Sequence, residues 1–244
     1  MKEIISVERL KLKRSKIWIL YILGPLVGVL LAFINFRNNY DLFMQPGDSE
    51  WVEVWTQVAI FMGPFVLPIA VGIYAAFVCR GEHIGGGWKQ LLTLPIGRSK
   101  IFMGKFFMAS IMVAITLLIV LLFFLSFGFF NGLEGDLPLI QIIIFIVQGF
   151  LACLPLLLIQ LIVSLRAKTF GIPLAFSIIF TLPAIIVAST PLGQFYPWTQ
   201  PMLAMSPADE SPIESYFLFY CLLIATFSLF LLFGLRSFSK RDIN

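Results

Sequence analysis

The chain has 244 residues, of which 59% are hydrophobic and 12% charged, with 26 phenylalanines and a formal net charge of +4; its mean hydropathy is +0.97. Soluble domains carry about 25% charged residues, so this composition excludes an ordinary soluble domain and points to an integral membrane protein. The alternating ten-residue pattern of an outer-membrane barrel is absent, and Cys79, Cys153 and Cys221, all in or at the ends of apolar runs, imply neither a disulfide framework nor a metal cluster.

In residues 1–16, MKEIISVERLKLKRSK, Ile4, Val7 and Leu10 recur at helical spacing while Lys2, Arg9, Lys13 and Lys16 fall opposite. This pattern predicts an interfacial helix, or else a basic flank that fixes topology. A first span is expected over 17–34. Its Gly24 and Gly28 lie four apart on one face, which suits close helix packing within the chain or against a second copy. A polar loop with Asp41, Asp48, Glu50 and a Pro46-Gly47 turn leads into a second span over 54–78, where Gly63-Pro64, Pro68 and Gly72 predict an interrupted, kinked helix.

Residues 80–105, RGEHIGGGWKQLLTLPIGRSKIFMGK, form the one long basic interruption between two strongly apolar runs. Trp88, Leu91, Leu92 and Leu94 fit one side of a short amphipathic helix, and Lys89, Arg98, Lys100 and Lys105 supply charge. Such a surface helix between two spans is shaped to meet a partner, although interfacial anchoring alone explains Trp88 and Lys89. Glu82 suits either a helix N-terminal cap or an ion pair with that partner.

A third span is expected over 106–130, ending at Asn131-Gly132, and a fourth over 139–165. Gln141 and Gln148 share a face of the fourth span, and glutamines are expensive in lipid, so that face is expected to point inward, into interhelical hydrogen bonds or toward a substrate path. A fifth span over 170–188 precedes a Pro-rich stretch with Tyr196 and Trp198, which reads as short segments partly embedded at the membrane, with the aromatics as an interface belt or as ligand contacts. The sixth span, 216–235, ends in a basic tail. The domain plan is therefore a single unit: interfacial helix 1–16, spans one and two 17–79, polar loop 80–105, spans three to six 106–235, and tail 236–244.

Six spans put both termini on one face. That face receives 16 of the 17 basic residues and 4 of the 13 acidic ones, leaving Arg37 among nine carboxylates on the other. By the positive-inside rule the termini and residues 80–105 are cytoplasmic, and the positive charge needs no nucleic-acid partner. His83, the only histidine, has no Cys, Asp or Glu cluster around it at metal-ligand spacing. The spans as drawn carry no Asp, Lys or Arg, and only Glu53 approaches the apolar core, which argues against ion-coupled transport. No G-x-x-x-x-G-K-[ST] is present either, so energy for any transport must come from a separate subunit.

The six spans and the segment W-K-x-L-L-x-L-P-I-x-R-x-K, Trp88 to Lys100, resemble the ABC-2 type transporter permeases. Within them, the segment is most similar to permeases of lantibiotic and peptide-antibiotic self-protection. The resemblance implies an all-α membrane fold of six helices with an interfacial N-terminal helix and a coupling helix between the second and third spans. It implies ATPase contacts at Glu82, His83, Trp88, Lys89, Leu91 and Leu92. The implied partners are two copies of an ABC ATPase that holds ATP and magnesium, a second permease chain, identical or related, with Gly24 and Gly28 as the contact, and membrane lipid. Gln141, Gln148, Tyr196 and Trp198 are then the substrate-facing candidates for an amphipathic peptide expelled from a bacterial plasma membrane. No cofactor or metal is expected on this chain itself, and no catalytic residue. A non-transporting sensor or scaffold that docks a cytoplasmic partner through the same loop is the alternative, with a membrane enzyme behind it.

Overall fold

The computed structural model describes residues 2–13, 15–83, 87–93, 95–167 and 169–240. Gly85, Gly86, Leu94, Lys168 and Arg241 lie outside this set, as do the side chains of Lys2, Ile4, Lys13, Lys89 and Leu92. Among the described residues every regular element is helical, and six helices are long and apolar enough to cross a membrane. The short N-terminal helix α1 (Lys2–Lys13) is followed by α2 (Trp18–Asn38) and a single turn, α3 (Tyr40–Phe43).

The second span is longer than its apolar stretch suggests. It runs from Glu50 to His83 as α4 (Glu50–Phe61), a π-helical turn (Met62–Val66) and α5 (Leu67–His83). Pro64 and Pro68 have no N–H to give to the preceding turn and crowd the carbonyls there, and the widened π turn absorbs both defects. The interruption expected at Gly63-Pro64 is this turn. After α6 (Gly87–Thr93), the third span α7 (Arg98–Asn131) also has 34 residues. Each 34-residue path is roughly 50 Å long against a hydrocarbon core of about 30 Å, so both extend well past the apolar layer. The loop expected over 80–105 is correspondingly shorter: Arg80, Glu82 and Lys105 belong to helices. At its other end α7 stops at Gly132, whose φ of +64° lets Leu133 N–H turn back to Gly128 O at 3.2 Å.

The chain continues through α8 (Leu139–Arg166), α9 (Gly171–Ala188), a 3₁₀ turn (Pro191–Phe195), α10 (Gln200–Met205) and α11 (Tyr216–Ser239). The Glu50–His83 path is the central strut, with 67% of its apolar stretch buried against 28% in α9 and 17% in α11. The peripheral helices turn Ile179, Leu182 and Ile186, and Phe217, Ile224 and Leu229, outward, which suits lipid contact. Between the last two spans, in the stretch read as partly embedded, α10 packs Pro201, Leu203, Ala204 and Met205 against the bundle.

Close approach at that wedge depends on two glycines. A Cβ on Gly63 would lie 2.4 Å from Met202 Cα, and one on Gly149 would lie 2.6 Å from Met205 Sδ. Trp55 Nε1 then donates to Met205 O at 2.8 Å, which satisfies a carbonyl at the end of α10.

Candidate functional site

The end of the bundle that carries both termini contains an ion-pair cluster drawn from three helices. Lys105, in the second turn of α7, is wholly buried, and its ammonium reaches Glu82 Oε2 at 2.9 Å, Glu8 Oε1 at 3.2 Å and Val78 O at 2.5 Å. Lys11 closes the ring from the solvent side, 2.5 Å from Glu82 Oε1 and 3.1 Å from Glu8. Two lysines against two glutamates make the cluster neutral, which is what a buried set of charges requires. At Lys11, burial alone would lower the pKa. The hydrogen bond that Lys11 donates to Glu82 and the charges of Glu8 and Glu82 outweigh burial and hold it above 10.5.

The cluster explains how α1 is seated. Its bundle-facing side is Ile5, Glu8 and Leu12, while Val7 and Leu10 of the apolar stripe are 50% and 64% exposed. An amphipathic helix is present, and its inner face is anchored by a carboxylate while Val7 and Leu10 are left on the outside.

Helix α6 rests directly on this cluster. The Trp88 ring stands 5.6 Å from Lys105 Nζ, within cation–π range, and packs edge-on against Phe238 of α11 at 5.7 Å. Trp88 Nε1 donates to His83 Nδ1 at 3.2 Å, so His83 carries its proton on Nε2 and donates it to Ser164 O of α8 at 2.9 Å. Gly87 permits the approach, because a Cβ there would lie 2.8 Å from Glu82 Cα. Lys105 and Trp88 together therefore join α1, α5, α6, α7 and, through Phe238, α11. Arg98 Nη1 adds a bond to Ser239 O at 2.9 Å, tying α11 to the start of α7.

These contacts revise several expected roles. Glu82, His83 and Trp88 turn inward as the base under α6, and Leu91 is half-buried against the core. Among the described side chains of α6, Gln90 and Thr93 are exposed. Glu82 is paired within the chain, to Lys105 and Lys11. Lys105 is not a loop charge but the buried centre of the site.

The glycine pair on α2 also faces inward. A Cβ on Gly24 would meet Val66 at 3.2 Å and one on Gly28 would meet Met62 Sδ at 2.4 Å, so the chain's own π turn fills the face expected for a second copy. Gln141 is exposed and Gln148 half-exposed, so they do not form the expected inward polar face. The buried glutamine of α8 is Gln160, packed near Gly72. Trp198 is 4% exposed and stacks on Phe180 at 5.1 Å and on Tyr196 at 5.4 Å, while Tyr196 donates to Phe180 O at 2.6 Å. The pair closes α9 onto the following turn, and Trp198 is sealed from any open path.

The sequence reading missed Glu8 and Lys105 as partners. A signal was available: Ile101, Phe102 and Met103 continue the apolar run of α7 upstream of Lys105, so a helix extended back to Arg98 carries this lysine into apolar surroundings. A buried lysine there needs carboxylates, and the basic face offers few.

Among known families, the model described as ABC-2 family transporter protein matches residues 4–184, from α1 to near the end of α9 and well over half the chain. No curated protein matches the sequence.

Proposed function

We propose that this chain, which belongs to the ABC-2 family of transporter proteins and so is the membrane component of an ABC transporter, expels an amphipathic peptide antibiotic when a separate ATPase drives it. Family membership supplies the premise that an ABC ATPase works with it. The observation that supports the mechanism is the seating of α6 on Lys105 through Trp88. A displacement of α6 by the ATPase bears at once on α5 and α7, the two spans that flank it, and on α1 through Glu8. The π turn at Met62–Val66 gives the central span a place to flex, because its hydrogen-bond ladder is already widened there.

In this reading two ATPase copies close beneath two permease chains, identical or related, in a bacterial plasma membrane with both termini cytoplasmic. The exposed Gln90 and Thr93 of α6 meet the ATPase, with Lys89 and Leu92 beside them on the same short helix. An amphipathic substrate taken from the membrane fits the apolar lateral faces of α2, α9 and α11 better than an ionic solute does.

The test is survival. Bacteria expressing the chain with its ATPase should tolerate a several-fold higher concentration of a pore-forming lantibiotic, and tolerance should vanish when the ATPase cannot hydrolyse ATP. Unchanged sensitivity with the complex assembled at the membrane would overturn the peptide reading.

A further inference from the structure

A groove of about 730 Å³ opens sideways between α2, α5 and the start of α9, on the end that carries the termini. Leu20 and Leu23 form one wall, Ile73 and Phe77 the other, and Phe170 closes the side. Three cations, Lys11, Lys16 and Arg80, stand at its mouth. Lys11 is committed to Glu8 and Glu82, but Lys16 and Arg80 are exposed and have no ion pair among the described residues.

The arrangement is graded with depth. Ile73 precedes Arg80 by seven residues on α5, so Arg80 stands about 10 Å above the deepest apolar residue of its wall, and Lys16 lies just before α2, ahead of Leu20 and Leu23 of the opposite wall. We infer that this groove binds one phospholipid with a net-negative headgroup, its phosphate between Lys16 and Arg80 and one acyl chain along Leu20, Leu23, Ile73 and Phe77. Charge complementarity selects this occupant. Basic pockets between spans at the cytoplasmic face suit anionic headgroups, whereas a cationic peptide is repelled by the same rim. A zwitterionic lipid gains nothing net from two unpaired cations.

The inference is independent of which substrate is transported. Native mass spectrometry of the full chain in detergent, titrated with palmitoyl-oleoyl phosphatidylglycerol or the matching phosphatidylcholine, tests it. One phosphatidylglycerol should be retained in preference to phosphatidylcholine. A Lys16→Gln/Arg80→Gln double variant should bind it roughly 30-fold more weakly, at about a tenfold loss per 1.4 kcal/mol and about 1 kcal/mol per basic residue near the surface. Lys100→Gln/Lys240→Gln, which removes two exposed charges outside the groove, should leave retention unchanged. Ile73→Trp, which fills the lower groove with both cations in place, should also reduce it. Equal retention of phosphatidylcholine, or unaltered phosphatidylglycerol binding in the double variant, would overturn the site. Equally tight binding of free glycerol 3-phosphate would do the same, since the apolar walls would then contribute nothing.

Discussion

At the end carrying the termini, charge holds the helices: one buried ammonium, Lys105, collects α1, α5 and α6 around α7. At the opposite end the helices are held by the absence of side chains, where Gly63 and Gly149 let α10 sink against the π turn and α8. An ion-pair cluster is tight but can be rearranged when one member moves, because its partners can exchange. A glycine contact is set by backbone and leaves nothing to exchange. In the proposed mechanism the movable joint lies beneath α6 and the fixed wedge in the far half of the bundle, and the π turn, where α5 leaves the wedge, is the hinge of the central span.

Removing the central charge should give the largest effect. Lys105→Met leaves Glu8 and Glu82 buried against each other without their main partner, at a cost of about 3–5 kcal/mol. Thermal unfolding in detergent should show the loss, and adding Glu82→Gln should recover part of it by removing a buried charge. No recovery in the double variant would mean that the charges are not coupled.

The wedge should break by a different route and to a smaller extent. Gly63→Ala forces a Cβ against the Met202 backbone, which cannot rotate away, and should cost about 1–3 kcal/mol. Gly171→Ala, with nothing within 4 Å of its Cβ, is the control and should stay within about 0.5 kcal/mol of the parent. Equal unfolding temperatures for the two variants would remove the glycine contact from the account.

Much of this contrast was legible in the sequence, and unevenly so. Six apolar runs, an amphipathic start and a Gly-Pro interruption in the second span follow from composition and periodicity, and each has its counterpart in a helix or a turn. The inward-facing residues of the loop were harder to read, because polar residues near a helix end look solvent-facing until a partner distant in sequence is known. Glu8 and Lys105 are 97 residues apart, and no local pattern pairs them. Cost alone predicts Gln141 and Gln148 inward, but α8 leaves Gln141 exposed and Gln148 half-exposed and buries Gln160. Gly24 and Gly28 did mark close packing, with the partner inside the same chain.

Within the charged end, Trp88→Phe should separate anchoring from hydrogen bonding. The ring over Lys105 is kept and the bond to His83 is lost, at about 1 kcal/mol. Trp88→Ala loses both and should lower the unfolding temperature further.

The smallest effect belongs to Lys11. Its side chain is 39% exposed, so Lys11→Met should cost no more than about 1 kcal/mol. Because the folded-state pKa is raised above 10.5, its contribution is fully present at neutral pH and is lost only as pH rises through the raised value. Parent and variant should therefore differ by a constant amount from pH 7 to pH 9.5 and converge at higher pH.

The central claim, that α6 is where the ATPase acts, is tested most directly by photocrosslinking from a benzoylphenylalanine at Gln90 in the intact transporter, with the same probe at exposed Gln45 on the opposite face as reference. A covalent product with the ATPase from position 90 and none from position 45 is the predicted result. An intact complex that crosslinks from position 45, or that gives no product from position 90, would contradict it.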